Sequence, residues 1–193
     1  MQERIDPRTA RVRAALMEAV RELVAERPVE DLSVTEVAAA AGTSRRVVYE
    51  HFGDLASLVA EATLQLERQI LAPVIERRDG QNVRAYMSGV LSSFVEGMYA
   101  EREFCRNALH GPSAYRIATD TTRMLDETMC DHVMGKRFAP EDMAADDRRY
   151  AIAAGVVGMV IRWFESDFTG ENAPDAMAQR LLDTMFSLAG VSG

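Results

Sequence analysis

The chain has 193 residues, 48% hydrophobic and 27% charged, the balance of a globular protein rather than a disordered, collagen-like or disulfide-built one. That length suits one domain, or a small domain fused to a medium one, with a substantial core. With 22 Lys and Arg against 30 Asp and Glu, the net charge is −8, which weighs against a nucleic-acid partner held by bulk charge. Residues 1–60 carry eight Arg and ten acids, so any DNA contact must come from local placement of Arg. The longest apolar run, Ala151 to Ile161, is too short to span a bilayer. The opening MQERIDPRTA has no apolar stretch behind it to suggest a signal peptide, and the expected compartment is the cytoplasm. Cys105 and Cys130 are too few to organise the fold. They read as small buried apolar residues, and the sequence does not decide whether either has a redox role.

In chain order the pattern is helical almost throughout, and strand alternation is absent. Asp6-Pro7 is an N-cap and first-turn pair. Val12, Ala15, Leu16, Ala19, Val20, Leu23 and Val24 then recur on one helix face, and Pro28 ends that helix. Ser33-Val34-Thr35-Glu36 is a capping box, which opens a short helix with Val34, Val37, Ala38 and Ala41 inward. Gly42 breaks it, Thr43-Ser44 caps a third helix over Arg45–Phe52, and Gly53-Asp54 is the next break. Longer helices are expected near 54–77, 82–101, 103–110, 114–136, 146–168 and 175–189. The punctuation between them is Asp79-Gly80, Gly111-Pro112, Pro140 and the stretch from Gly170 to Pro174.

Two short helices joined by Ala41-Gly42-Thr43-Ser44 form a helix-turn-helix signature. Gly42 supplies a turn that a β-carbon would hinder. The second helix offers Arg45, Arg46, Tyr49, Glu50 and His51 to a major groove, while Val48 and Phe52 turn inward. Arg can read guanine bidentately, and Tyr and His can donate to phosphate. On pattern alone, two ordinary packed helices would look the same.

The stretch from Leu32 to Phe52, with its Ala-x-x-Ala-Gly-x-Ser turn and Tyr-x-His-Phe end, resembles the N-terminal domain of TetR-family transcriptional regulators. The preceding helix and Asp54-Leu-Ala-Ser-Leu58 also match, so the resemblance covers roughly residues 8–62 and is architectural beyond. It implies an all-α chain: a three-helix helix-turn-helix domain over 1–53, then a helical effector-binding and dimerisation domain over 54–193. It puts Thr35, Arg45, Arg46 and Val47 at base-reading positions, and Ser33, Ser44, Tyr49 and His51 at phosphate-facing ones. Leu55 stands where the family usually has a phosphate-contacting lysine, and Pro28 where a glycine is common. Arg4, Arg8, Arg11 and Arg13 are either a compensating N-terminal arm or a solvated tail.

In the second half, the helix near 146–168 is apolar nearly all round, so it is buried on more than one side. Gly155 and Gly158, with Ile161, permit close approach of another helix. The last helix offers Met177, Leu181, Met185 and Leu188 on one face. These residues suggest a four-helix dimer interface across a two-fold axis; the alternative is closure of a monomer's core. Met87, Met98, Met124 and Met159, with Phe94, Phe104 and Trp163, suit an adaptable apolar effector site, with Arg162, His110 or Tyr115 as polar anchors. Met129, Met134 and Phe168 fit the same pattern. Any one of these also fits ordinary core packing.

His110 and His132 lack the spaced partners of a zinc site, and no phosphate loop or nucleophilic triad stands out. The expectation is a homodimeric regulator without enzyme activity, cofactor, metal or membrane partner. It binds palindromic double-stranded DNA, acts as a repressor, and is released by a small apolar or amphipathic effector. The rival is a helical ligand-binding protein or enzyme of the same fold that does not bind DNA.

Overall fold

The computed structural model describes residues 6–75, 82–128 and 143–189. Arg4, Asp79-Gly80, Met129, Cys130, His132, Met134 and Pro140 lie outside the described residues. Within them every regular element is helical. They are α1 (Pro7–Glu26), α2 (Val34–Ala40), α3 (Arg45–Phe52), α4 (Leu55–Leu71), α5 (Val83–Ala100), α6 (Arg102–Leu109), α7 (Ala114–Thr128), α8 (Met143–Trp163) and α9 (Pro174–Ala189). The all-α expectation holds.

The starts and stops have local causes. The Asp6 carboxylate accepts the Arg8 amide at 3.1 Å, and Pro7 fills the first turn, where its missing N–H is no loss. Arg27 is extended, as a residue before proline must be. At α2 the Ser33 hydroxyl accepts the Glu36 amide at 3.2 Å, and the Glu36 carboxylate accepts the Ser33 amide at 2.9 Å. This is the reciprocal capping box. At the other end Thr43 N–H donates to Ala38 O at 2.8 Å and Gly42 N–H to Ala39 O at 3.1 Å. That pair of bonds is a Schellman motif, and it puts Gly42 at φ +62°.

Two helices end earlier than expected. α4 stops at Leu71 rather than near 77: Pro73 has no N–H to continue the ladder, and the chain goes on only as a turn in which Ile75 N–H donates to Leu71 O at 3.0 Å. The apolar spacing of Leu71, Val74 and Ile75 conceals that break. α8 begins at Met143 and stops at Trp163 rather than 168. After a turn, Phe168 takes φ +59° and stacks edge-on against Trp163 and Tyr99, with centroids 4.9 and 5.3 Å away. One-turn 3-10 helices at Val29–Asp31 and Gly170–Asn172 are too short to leave a periodicity.

The chain divides into two compact units. The first holds the residues up to Gln65 with Arg102–Ile117; the second holds Leu66–Glu101 with the residues from Ala118 onward. The first unit thus extends well past residue 53. In it α6 packs on α1, and the Asn107 amide donates to Val24 O at 2.7 Å, satisfying a carbonyl that the end of α1 would leave open. Leu16, Val20, Val37, Val48, Leu58 and Phe104 are fully buried there. In the second unit α5 packs on α9 and α9 on α8, around Met98, Ile152, Phe164, Met177 and Leu181. Helices α4 and α7 each contribute residues to both units.

Candidate functional site

The capping box and the Schellman turn fix α2 against α3 and leave one polar surface. Thr35 on α2 and Ser44, Arg45, Arg46 and Tyr49 on α3 are exposed, Tyr49 by 48%. Val47 and His51 are half-buried, and Val48 is the buried anchor. Seven of the eight expected DNA-facing residues are therefore on or at the edge of one open surface. The eighth, Ser33, is also exposed, but its hydroxyl is committed: it lies 2.7 Å from the Glu36 carboxylate. The hydrogen bonds from Ser33, followed by those from Arg27, hold the Glu36 carboxyl down to about 2. Ser44 differs, since its side chain makes no capping bond. Its hydroxyl and the first amides of α3 remain available to an anion.

The charges on α3 are partly cancelled. Arg46 pairs with Glu50 one turn on, Nε to Oε1 at 2.6 Å, and that hydrogen bond raises the already high pKa of Arg46. Arg45 makes no ion pair among the described residues, which leaves it as the more open cation on this helix.

Sequence reasoning missed the residue that seats α3. Arg13 lies within helix α1 rather than in an arm, as do Arg8 and Arg11. Its guanidinium donates to His51 O at 2.8 Å, stands 4.3 Å over the Phe52 ring, and lies 3.4 Å from Glu61. One side chain thus ties α1, the C-terminal end of α3 and α4 within the first unit. The half-buried Phe52 and the unpaired carbonyls at the end of so short a helix were the available signals.

In the second unit, a cavity of about 40 Å³ is lined by Leu71, Met87, Phe94, Leu125, Val156 and Met185, among others. Of the expected effector residues, Met87 and Phe94 are there. Met98 is buried elsewhere in the core, and Met124 is half-buried off the cavity wall. Met159, Arg162 and Trp163 line a separate, more polar depression of about 330 Å³ with Glu165, Asn172 and Arg180. Phe104, His110 and Tyr115 need correction, because they belong to the first unit. Phe104 is core packing there, since the apolar side of α6 faces α1. His110 is exposed, with Nδ1 2.6 Å from Arg106 O, and Tyr115 is 84% exposed.

The expected dimer residues also divide. Gly155 and Gly158 are exposed on α8, with open space where a β-carbon would go. Leu188 is 53% exposed, and Ile161 is half-buried. Met177, Leu181 and Met185 are not surface residues: they are buried inside the unit of a single chain, where α9 meets α5. Their helical spacing marked a buried face, and periodicity cannot say whether the covering helix is in the same chain.

Residues 16–62 match the family model described as bacterial regulatory proteins, tetR family. No curated protein matches. Among solved structures, the chain is similar to the TetR-family repressor AlkX of Dietzia, implicated in biodegradation of n-alkanes. The identity is 21%, 98% of each chain is covered, and the TM-score is 0.66. A TetR transcriptional regulator from Rhodococcus is similar at 16% identity, over 94% of this chain and 97% of that one, with a TM-score of 0.64. NalD, the secondary repressor of the MexAB-OprM efflux pump in Pseudomonas aeruginosa, is similar at 19% identity, over 94% and 97%, with a TM-score of 0.55. Such identities establish a shared fold. The sequence match over residues 16–62 is to the TetR family of bacterial regulatory proteins, and the fold shared with TetR-family structures extends over nearly the whole chain.

Proposed function

We propose that the chain is a cytoplasmic, homodimeric repressor that reads a palindromic operator through α3 and releases it when a small apolar or amphipathic effector enters the second unit. The exposed surface bearing Thr35, Ser44, Arg45 and Tyr49 is the observation that carries this reading. Arg45 and Arg46, with Thr35 and Val47, meet base edges. Ser44, Tyr49 and His51 hold phosphates, and Ser33 acts there through the capping box. Arg13 holds the far end of α3 so that these side chains enter one groove together.

Two copies place their recognition helices one DNA turn apart, about 34–36 Å. The exposed Gly155 and Gly158 face of α8, with Leu188 at the end of α9, is the surface we assign to the second copy. Met177, Leu181 and Met185 support it from within. The cavity beside Met87 and Phe94 is small, so an effector of ordinary size enlarges it. An effector that binds better to the enlarged state shifts the population toward that state. Helix α4 runs unbroken from the first unit into the second and is the element through which that shift reaches the DNA-binding domain. The regulator needs no chemistry of its own, so no catalytic residue is assigned.

Replacing Arg45 and Tyr49 together with Ala tests the assignment. Operator binding should be lost, while the dimer and its ligand affinity persist. A variant that instead falls to monomer, or that still binds operator at full strength, contradicts it.

A further inference from the structure

The end of α8 and the first half of α9 border the polar depression of about 330 Å³, which Arg162, Glu165 and Arg180 line beside Met159, Trp163 and Asn172. That volume falls near the lower end of the range for small-molecule sites, and every lining residue belongs to the second unit. Its two cations lack a charge partner. Arg180 donates through Nη1 to Glu171 O at 2.7 Å and Asn172 Oδ1 at 3.3 Å, and through Nη2 to Met177 Sδ at 3.1 Å. These acceptors are neutral: Glu171 meets Arg180 with its backbone carbonyl, not its carboxylate. A guanidinium has five N–H donors, so Nε–H and one Nη2 hydrogen remain for a further acceptor. Arg162 is exposed in the last turn of α8, and neither arginine forms an ion pair among the described residues. A cation in the last turn complements the helix dipole, which accounts for Arg162. It does not account for Arg180, in the first half of α9.

The wall is set before any ligand arrives. Trp163 Nε1–H donates to Asn172 O at 2.7 Å. Phe168 holds a left-handed backbone at φ +59°, a strain kept in place by its packing against Trp163 and Tyr99. The loop between α8 and α9 is thereby fixed, and its Glu171 and Asn172 oxygens fix Arg180 in turn. Donors already in position lose little freedom on binding.

We propose that this depression binds a small monocarboxylate anion, its oxygens held by Arg162 and Arg180 and its short apolar body against Met159 and Trp163. Guanidinium and carboxylate match in geometry and charge. Two guanidiniums and the Glu165 carboxylate leave a single net positive charge, which suits one negative charge and disfavours a phosphate dianion. The site is separate from the apolar cavity beside Met87 and Phe94, and the inference rests neither on the reading of that cavity nor on that of the DNA-binding face.

The test titrates the full chain, at neutral pH and constant ionic strength, with benzoate, phenyl phosphate and benzyl alcohol, which share a ring and differ in head. Binding is read by calorimetry and by the emission of Trp163, the single tryptophan of the sequence. Benzoate should bind roughly tenfold or more tightly than benzyl alcohol, the difference a charged hydrogen bond makes. It should also bind more tightly than phenyl phosphate and shift the Trp163 emission. Arg162→Ala removes an exposed side chain that holds nothing else in place, so the variant should fold normally and bind benzoate roughly tenfold more weakly. Glu165→Gln, also at an exposed position, should strengthen the binding of both anions, phenyl phosphate the more. Absence of benzoate binding, equal binding of benzoate and benzyl alcohol, or an affinity for benzoate unchanged in Arg162→Ala overturns the inference. Tighter binding of phenyl phosphate than of benzoate by the unaltered chain overturns the monocarboxylate class.

Discussion

At the scale of single residues, two serines at equivalent helix starts are set to different work. Ser33 closes a capping box, and Ser44 caps nothing with its side chain. Ser33→Ala should therefore lower stability by about 1 kcal/mol, read as a lower denaturant midpoint. Ser44→Ala should leave the midpoint nearly unchanged and weaken operator binding. Glu50 gives a prediction of opposite sign. It neutralises Arg46 and adds negative charge to the face proposed to meet DNA. Glu50→Gln should strengthen DNA binding and steepen the salt dependence by about one counterion. Weaker binding would mean that Glu50 itself meets a base. The helix-turn-helix was legible in the sequence because its devices are local: the Ser33–Glu36 box, the Gly42 turn and the apolar anchor Val48 all lie within a few residues of one another. Arg13 was not legible, since its partners His51, Phe52 and Glu61 are distant in sequence and only the fold brings them together.

At the scale of helices, the same division between local and distant explains what was readable. Caps and prolines mark where α1, α2 and α3 begin and end, but the periodicity of α9 does not say what covers it. Met177 and Leu181 belong to the core of their own unit, where α5 covers α9. Phe104 likewise reads as an apolar residue on a helix, and only the packing of α6 on α1 places it in the first unit. Two glycines test the packing. Gly42 stands at φ +62° in open space, so Gly42→Ala carries only the backbone cost of a left-handed residue, about 1–2 kcal/mol. At Gly97 of α5, an added β-carbon would meet Ile70 of α4 at 2.7 Å. Ile is β-branched and stiff, so Gly97→Ala should overpack this contact and cost about 1–3 kcal/mol. Thermal melts of the two variants check both values. An unchanged melt for Gly97→Ala would mean that α4 and α5 separate freely at this point.

At the scale of the whole molecule, one buried group gives stability a dependence on pH. The Glu67 carboxyl is raised from 4.5 to about 8 in the folded chain. Below pH 4.5 it is protonated whether the chain is folded or not, and contributes no pH dependence. Between 4.5 and about 8 the unfolded chain ionises first, so stability falls as pH rises, and the loss levels off above 8. The drop in melting temperature from pH 5 to pH 8 should therefore shrink in Glu67→Gln. An unaltered drop would show that Glu67 is already ionised in the fold.

The net charge of −8 bears on function at this scale. On the proposed reading it leaves attraction for DNA to the α3 face, so non-specific binding should be weak and recognition should depend on a few placed side chains. The central claim is then tested most directly by selecting random duplexes with the purified chain at low salt, and titrating the enriched sequence with salt. The account predicts a palindrome whose log affinity falls linearly with log salt, and whose enrichment disappears for the Arg45→Ala, Tyr49→Ala variant. A folded, dimeric protein that enriches no duplex, or one whose selected duplex binds the variant equally well, would contradict it.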